Sequence, residues 1–181
     1  SISFDKLLIA TGGRNRTLTI DGLAPNTILQ LRKKEDSQDI IARSKTSNRV
    51  LVIGGGFIGL EVTASLISIG KEVTVVEAGD QLMGRAIPQE MAAFVQNKHE
   101  AMGVEILLRT TADSGVTRGG AHDVTMSDGR TLTFDLIIAG IGIDPNLGVF
   151  EPGSIDIDNG IVVDEYGKTS VGGVYAAGDV A

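Results

Sequence analysis

Three glycines and one carboxylate carry the chemistry most legible in this chain. Gly54, Gly56 and Gly59, in the run GGGFIG at 54–59, spell G-x-G-x-x-G, with Gly55 inside the same turn. Glycine at those points permits a tight turn, lets a pyrophosphate approach bare backbone, and allows the next helix to pack closely on the preceding strand. Glu77 stands about twenty residues further on, where a carboxylate accepts hydrogen bonds from the adenosine ribose hydroxyls of a dinucleotide. A carboxylate there bonds a free 2′-hydroxyl and repels a 2′-phosphate, so NAD(H) is expected over NADP(H). Arg85, eight positions later, softens that preference if its loop folds back.

These residues need a strand, a helix and a second strand to hold them. Residues 50–53 (VLVI) form a short apolar run suited to a parallel strand buried on both faces. A helix is expected over 57–69, with Gly70 as its left-handed stop and its N-terminus presenting free N–H groups to phosphate oxygens. Residues 71–76 then give the second strand, with Glu77 at its carboxyl end.

The composition narrows the setting. The chain has 181 residues, 42% of them hydrophobic, enough for a core, and no run approaches the roughly eighteen apolar residues of a membrane helix. A formal charge of −7 argues against nucleic acid or an anionic membrane as partner. Arg32, Lys33 and Lys34 are the one basic cluster and read as a solvated face. Without cysteine this chain can carry no disulfide, redox dithiol or thiolate metal site. His99 and His122, far apart in polar surroundings, read as surface residues, and a cytoplasmic setting is the default.

Along the chain, residues 4–13 read as a buried strand entering a glycine loop, and 35–43 as a short helix. Pro88 opens a helix reaching about residue 102, followed by a strand at 104–108. Segments 116–118, 124–126 and 131–134 alternate around Gly119-Gly120 and Asp128-Gly129, the pattern of an antiparallel meander. A strand at 135–139 returns to the core, and further strands are expected at 161–164 and 174–177. FDKLLIATG at 4–12 aligns with FDLIIAGIG at 134–142, so that Gly12 falls under Gly142. If the second copy closes the unit begun by the glycine turn, the first closes a similar unit whose own fingerprint is expected upstream of Ser1. The stop just after Gly178-Asp179, where a helix is due, gives the same expectation of a domain cut at both ends.

Five motifs in order carry a resemblance to a known family: ATGG at 10–13, VLVIGGGFIGLEVT at 50–63, VTVVEAGDQLM at 73–83, IIAGIGIDPN at 137–146 and VYAAGDVA at 174–181. Together they resemble the FAD-dependent pyridine nucleotide reductases with two dinucleotide-binding domains, most nearly the ferredoxin and rubredoxin reductases. The resemblance implies an α/β fold: a Rossmann-like βαβ parallel sheet with an antiparallel β-meander, plus partial strands of an FAD domain. It implies an NAD(P)-binding domain at 48–143 and incomplete FAD-domain segments at 1–47 and 144–181. By the same resemblance Gly54, Gly55, Gly56, Phe57, Ile58 and Gly59 hold the pyrophosphate and line the nicotinamide side, and Glu77 takes the adenosine ribose. Gly140, Ile141 and Gly142 pass under the cofactor, and Glu61 lies near the nicotinamide–flavin contact. Thr11 and Gly12 approach FAD, and Asp179 holds its ribityl chain.

The implied activity is that of an NADH-dependent flavoprotein oxidoreductase, passing hydride from NADH to FAD and electrons to an iron–sulfur carrier. The remainder of the FAD domain is an implied partner, and the chain alone is expected to be inactive. NADH oxidase, nitrite reductase and disulfide reductase branches stay open, as does a stand-alone NAD(H) sensor. A flavin-free dehydrogenase would need a catalytic set, and Tyr166 and Lys168, two apart on an extended segment, do not supply the helical spacing.

Overall fold

The computed structural model describes residues 3–84 and 86–181; Arg85 lies outside them. In chain order the elements are β1 (Leu7–Ile9), β2 (Gly13–Asn15), β3 (Ile28–Gln30), α1 (Lys34–Ser44), β4 (Arg49–Ile53), α2 (Phe57–Ser68), β5 (Glu72–Glu77) and α3 (Gln89–Ala101). They continue as β6 (Glu105–Leu108), β7 (Ala112–Arg118), β8 (Ala121–Met126), β9 (Thr131–Phe134), β10 (Leu136–Ala139), β11 (Ile143–Pro145) and β12 (Val174–Ala176). Two units result: Thr17–Gly142, and residues 3–16 with 143–181.

The larger unit is built on a parallel sheet of order β3-β10-β4-β5-β6. Its central strands are mostly apolar because both faces are covered, and successive side chains sort to opposite sides. Val50, Val52, Val73, Val75, Leu136 and Ile138 join Ile40 of α1 and Val62 and Leu66 of α2 in one core. Leu51, Ile53, Val76, Ile137 and Ala139 join Val124, Met126 and Phe134 of the meander in the other. Val50, Leu51 and Val52 have no exposed surface, and burying each such side chain contributes about 1.5–3 kcal/mol. Helices thus cover one face and the antiparallel sheet β7-β8-β9 the other, so the crossover from β6 to β10 is made of strands. Among the described residues no helix is long and apolar enough to cross a membrane.

The expected α/β class, glycine-turn unit and meander are present. The larger compact unit spans Thr17–Gly142. β3 pairs with β10 through Ile28–Ile137, Leu29–Ile138 and Gln30–Ala139, and Ile20 is buried against the meander side of the sheet. The Gly115 N–H also donates to the Asp21 carbonyl at 2.7 Å. Residues 17–47 are therefore an edge strand and a covering helix of this sheet.

One carboxylate ties the amino ends of β4 and β10 together. Asp135 Oδ2 accepts the N–H groups of Asn48 at 2.9 Å and Arg49 at 2.8 Å, while its own N–H donates to the Arg49 carbonyl. The backbone N–H groups of Arg49 and Asn48 hold its pKa below the usual carboxylate value. A depressed folded-state pKa means stability that is present above the unfolded carboxylate pKa and lost as pH falls from about 4 through the lower folded value. Asp135→Asn is expected to cost about 1 kcal/mol at pH 7, and the gap from the parent should narrow as pH falls through the lowered folded-state pKa, as read by urea unfolding across pH.

The smaller unit pairs β1 with β12 in parallel and β2 with β11 antiparallel. Ile9, Ile155, Ile161, Val174, Ala176 and Val180 form its core. The strand expected at 161–164 is absent: Ile161 makes an isolated bridge to Ile157. Ile161 is buried and Val162 48% exposed, so the apolar alternation there comes from packing of a local turn and not from a ladder. In the two aligned segments, β1 and β10 are each followed three residues later by a left-handed glycine, Gly12 at φ 65° and Gly142 at φ 96°.

Candidate dinucleotide-binding site

In the sheet, the chain leaves β4 toward β5 on one side and returns in β10 on the other. The carboxyl ends of β4 and β10 therefore border the crevice in which open parallel sheets bind ligands. Two close backbone approaches build its floor. Gly54 has φ 102°, and a Cβ on it would lie 2.5 Å from the Gly140 carbonyl oxygen. A Cβ on Gly59, in the first turn of α2, would overlap the Gly54 carbonyl oxygen. Hydrogen bonds fix the arrangement, from the Gly54 N–H to the Val76 carbonyl at 2.8 Å and from the Gly140 N–H to the Ile53 carbonyl at 2.7 Å.

Gly56 differs from both. It immediately precedes α2, and a Cβ there would meet nothing within 4 Å. It faces a cleft of about 580 Å³ that Gly54, Glu77, Gly140, Ile141 and Gly142 also line. The start of α2 thus offers its unpaired N–H groups and positive dipole end across an empty space that only bare backbone leaves open.

Glu77, the last residue of β5, is half-buried at the lip of this cleft. Its Oε2 accepts the Gly55 N–H and its Oε1 the Gly79 N–H, each at 2.7 Å. Each carboxylate oxygen keeps a further lone pair. Two neutral donors hold the charge in place without cancelling it. The arrangement suits a vicinal diol, which can donate to both oxygens, and opposes a phosphate.

The remaining sequence candidates fall in several places. Gly55 is buried behind the turn, whereas Phe57 and Ile58 are 58% and 45% exposed on the first turn of α2. Glu61 is exposed and lines a separate groove between α1 and α2, with Leu31, Ile40 and Ile69. In the smaller unit, Thr11 and Gly12 follow β1 and Asp179 follows β12, at the same end of that parallel pair. Asn146 fastens the first of these loops: Thr11 Oγ1 donates to its carbonyl at 3.0 Å, its Nδ2 donates to the Thr11 carbonyl at 2.9 Å, and its N–H to the Gly12 carbonyl at 2.8 Å. Tyr166 is 73% exposed, with the Lys168 Nζ 5.8 Å from its ring centroid. Among the described residues no cluster of His, Asp or Glu is arranged to hold a metal ion.

Sequence reasoning missed one wall. Leu18, Ala78, Thr110, Thr111 and Ala112 also line the cleft. Thr110 is buried, and its N–H donates to the Glu77 carbonyl at 3.0 Å. A signal existed, because Thr110 and Thr111 follow a parallel strand next to the one ending in Glu77, and the carboxyl ends of such strands face ligands.

The fold and the cleft together define an α/β protein of the parallel-sheet type, with an open crevice at the carboxyl ends of its strands. The chain belongs to the pyridine nucleotide-disulphide oxidoreductase family, whose pattern matches residues 1–181. It is 36% identical to the rubredoxin-NAD(+) reductase of Pseudomonas putida over 99% of this chain and 47% of that protein. It is 36% identical to the rhodocoxin reductase of Rhodococcus erythropolis over 100% of this chain and 43% of that protein. The crystal structure of a ferredoxin reductase from Rhodopseudomonas palustris superposes with a TM-score of 0.91 at 33% identity, over 99% of this chain and 45% of that one. The chain thus spans somewhat less than half the length of these relatives.

Proposed function

We propose that Thr17–Gly142 is the NADH-binding part of a flavoprotein reductase that delivers electrons to an iron–sulfur carrier of the ferredoxin or rubredoxin class. The observation that carries the reading is the Glu77 carboxylate, held by the Gly55 and Gly79 N–H groups at the lip of the cleft. The space above Gly56 and the free N–H groups of α2 fit a pyrophosphate. Glu77 accepts hydrogen bonds from the adenosine ribose diol, and Gly140, Ile141 and Gly142 let the rest of the dinucleotide pass close to backbone. The names of the relatives support the acceptor class, since each denotes a reductase of, or acting on, a small electron carrier.

The smaller unit supplies one edge of a flavin site. Thr11, Gly12 and Asp179 present backbone and a carboxylate at the end of the β1–β12 pair, the place where a parallel sheet meets its ligand. When bound, the nicotinamide supplies a hydride and the flavin converts a two-electron donor into single-electron steps. The protein's part is to bind, orient and exclude water; no acid or base on this chain is required. Phe57 and Ile58, apolar and exposed at the start of α2, are suited to covering a bound nicotinamide ring.

Calorimetric titration of the 181-residue chain with NADH, NADPH and FAD tests the reading. NADH is expected to bind at least tenfold more tightly than NADPH, a difference of about 1.4 kcal/mol from one lost charge-assisted bond. FAD is expected to bind weakly. Equal affinity for the two nicotinamide dinucleotides, or none for either, would overturn the reading.

A further inference from the structure

The loop after Glu77 holds the glycine turn from outside. Leu82 has no exposed surface although it sits in a surface loop, and its Cδ2 lies where a Cβ on Gly55 would fall, only 2.5 Å from that position. The next residue, Met83, takes a left-handed conformation at φ 56°, which aims its N–H at the Gly55 carbonyl, 2.8 Å away. A non-glycine residue held there stores backbone strain that the surroundings must maintain. The Gly55 peptide is thus fixed at three points. Glu77 takes its N–H, Leu82 covers its Cα, and Met83 holds its carbonyl. The loop is itself anchored, since the Gly79 N–H donates to Glu77 Oε1 and the Arg109 N–H donates to the Gly79 carbonyl at 2.8 Å.

From this geometry we infer that Leu82 is a positioning residue for dinucleotide selectivity: it keeps the Gly55 N–H on Glu77, and so keeps the carboxylate facing the ribose. The inference rests on the NADH reading above. If the Leu82 side chain is cut back, the Gly55 peptide is free to tilt and Glu77 loses one of its two fixed donors. A carboxylate tied only to Gly79 can swing. It then loses the geometry that serves a diol and also the repulsion that excludes a 2′-phosphate. Leu82 touches no ligand in this scheme, so its effect falls on the difference between NADH and NADPH.

The test compares Leu82→Ala, Leu82→Val and Leu82→Met in the full 181-residue chain, titrated with NADH and NADPH well below the unfolding temperature. Amide hydrogen exchange at Gly55 is followed by NMR in the ligand-free protein. Leu82→Ala is expected to weaken NADH about tenfold while leaving NADPH unchanged or slightly tighter, and to speed exchange at Gly55. Leu82→Met, which keeps the volume, restores both. Leu82→Val removes only the reach of the Cδ atoms and gives a smaller change of the same kind, and it serves if the alanine variant does not fold. Equal weakening of both dinucleotides, or an unchanged ratio with lower stability, would mean that Leu82 is only a core residue. Failure of the unmutated chain to prefer NADH would instead overturn the underlying reading.

Discussion

Gly59→Ala is expected to unfold or badly loosen the larger unit, while Gly56→Ala, three residues away, is expected to leave its stability nearly unchanged and yet weaken dinucleotide binding at least tenfold. The opposite outcomes follow from what surrounds each Cα. A methyl group on Gly59 would overlap the Gly54 carbonyl oxygen and lie 3.5 Å from the Val52 side chain. The Gly54 carbonyl cannot yield, because Gly54 is pinned to Val76. Relief requires α2 to move off β4, at about 3 kcal/mol or more, the upper range for overpacking. Gly56 has φ −82° and ψ −174°, a conformation any residue adopts, and open space around it. Its methyl group would intrude where the pyrophosphate must approach the backbone, and affinity should fall by at least tenfold. Urea unfolding and calorimetric titration of the two variants separate the effects. Equal stability losses would show that the turn is only a packing device.

The second large effect is expected from Glu77→Arg. The variant removes the acceptor for two N–H groups, one of them on buried Gly55, and leaving that donor unsatisfied costs about 1–3 kcal/mol of stability. Binding changes in the opposite direction for the two dinucleotides. NADH loses its hydrogen bonds to the carboxylate and should weaken by more than tenfold, whereas NADPH gains a cation for its 2′-phosphate and should tighten. Glu77→Gln separates the contributions: it keeps an acceptor near Gly55 and removes the charge, so stability should largely recover while the discrimination between dinucleotides narrows. An arginine variant that still prefers NADH would show that the preference resides elsewhere in the cleft.

The glycine turn and Glu77 were legible in the sequence because their requirements are local. A strand, three glycines, a helix and an acid in register leave few other arrangements, and the turn chemistry fixes which backbone must be bare. The meander was legible for the same reason, with Gly119, Gly120 and Gly129 all at positive φ in its turns. What escaped was set by distant pairing. Nothing near Ile28 tells that it lies beside Ile137. Thr110 reaches the cleft because β6 lies beside β5, a fact of sheet order. Glu61 lines a groove whose other wall is α1, and the sequence around Glu61 says nothing of that helix.

The strand crossover bears on how the binding crevice comes into being. β4, β5 and β6 are near neighbours in sequence and can pair as soon as they are made. The other edge of β4 is filled only by β10, through Val50–Leu136 and Ile53–Ala139, after the whole meander has been laid down. Such long-range parallel pairing is the slow part of assembling a sheet. The contact of Gly54 with Gly140 belongs to that last closure. In chain order the acid and the glycine turn thus precede the strand that completes their crevice, which is closed only when β10 takes its place beside β4.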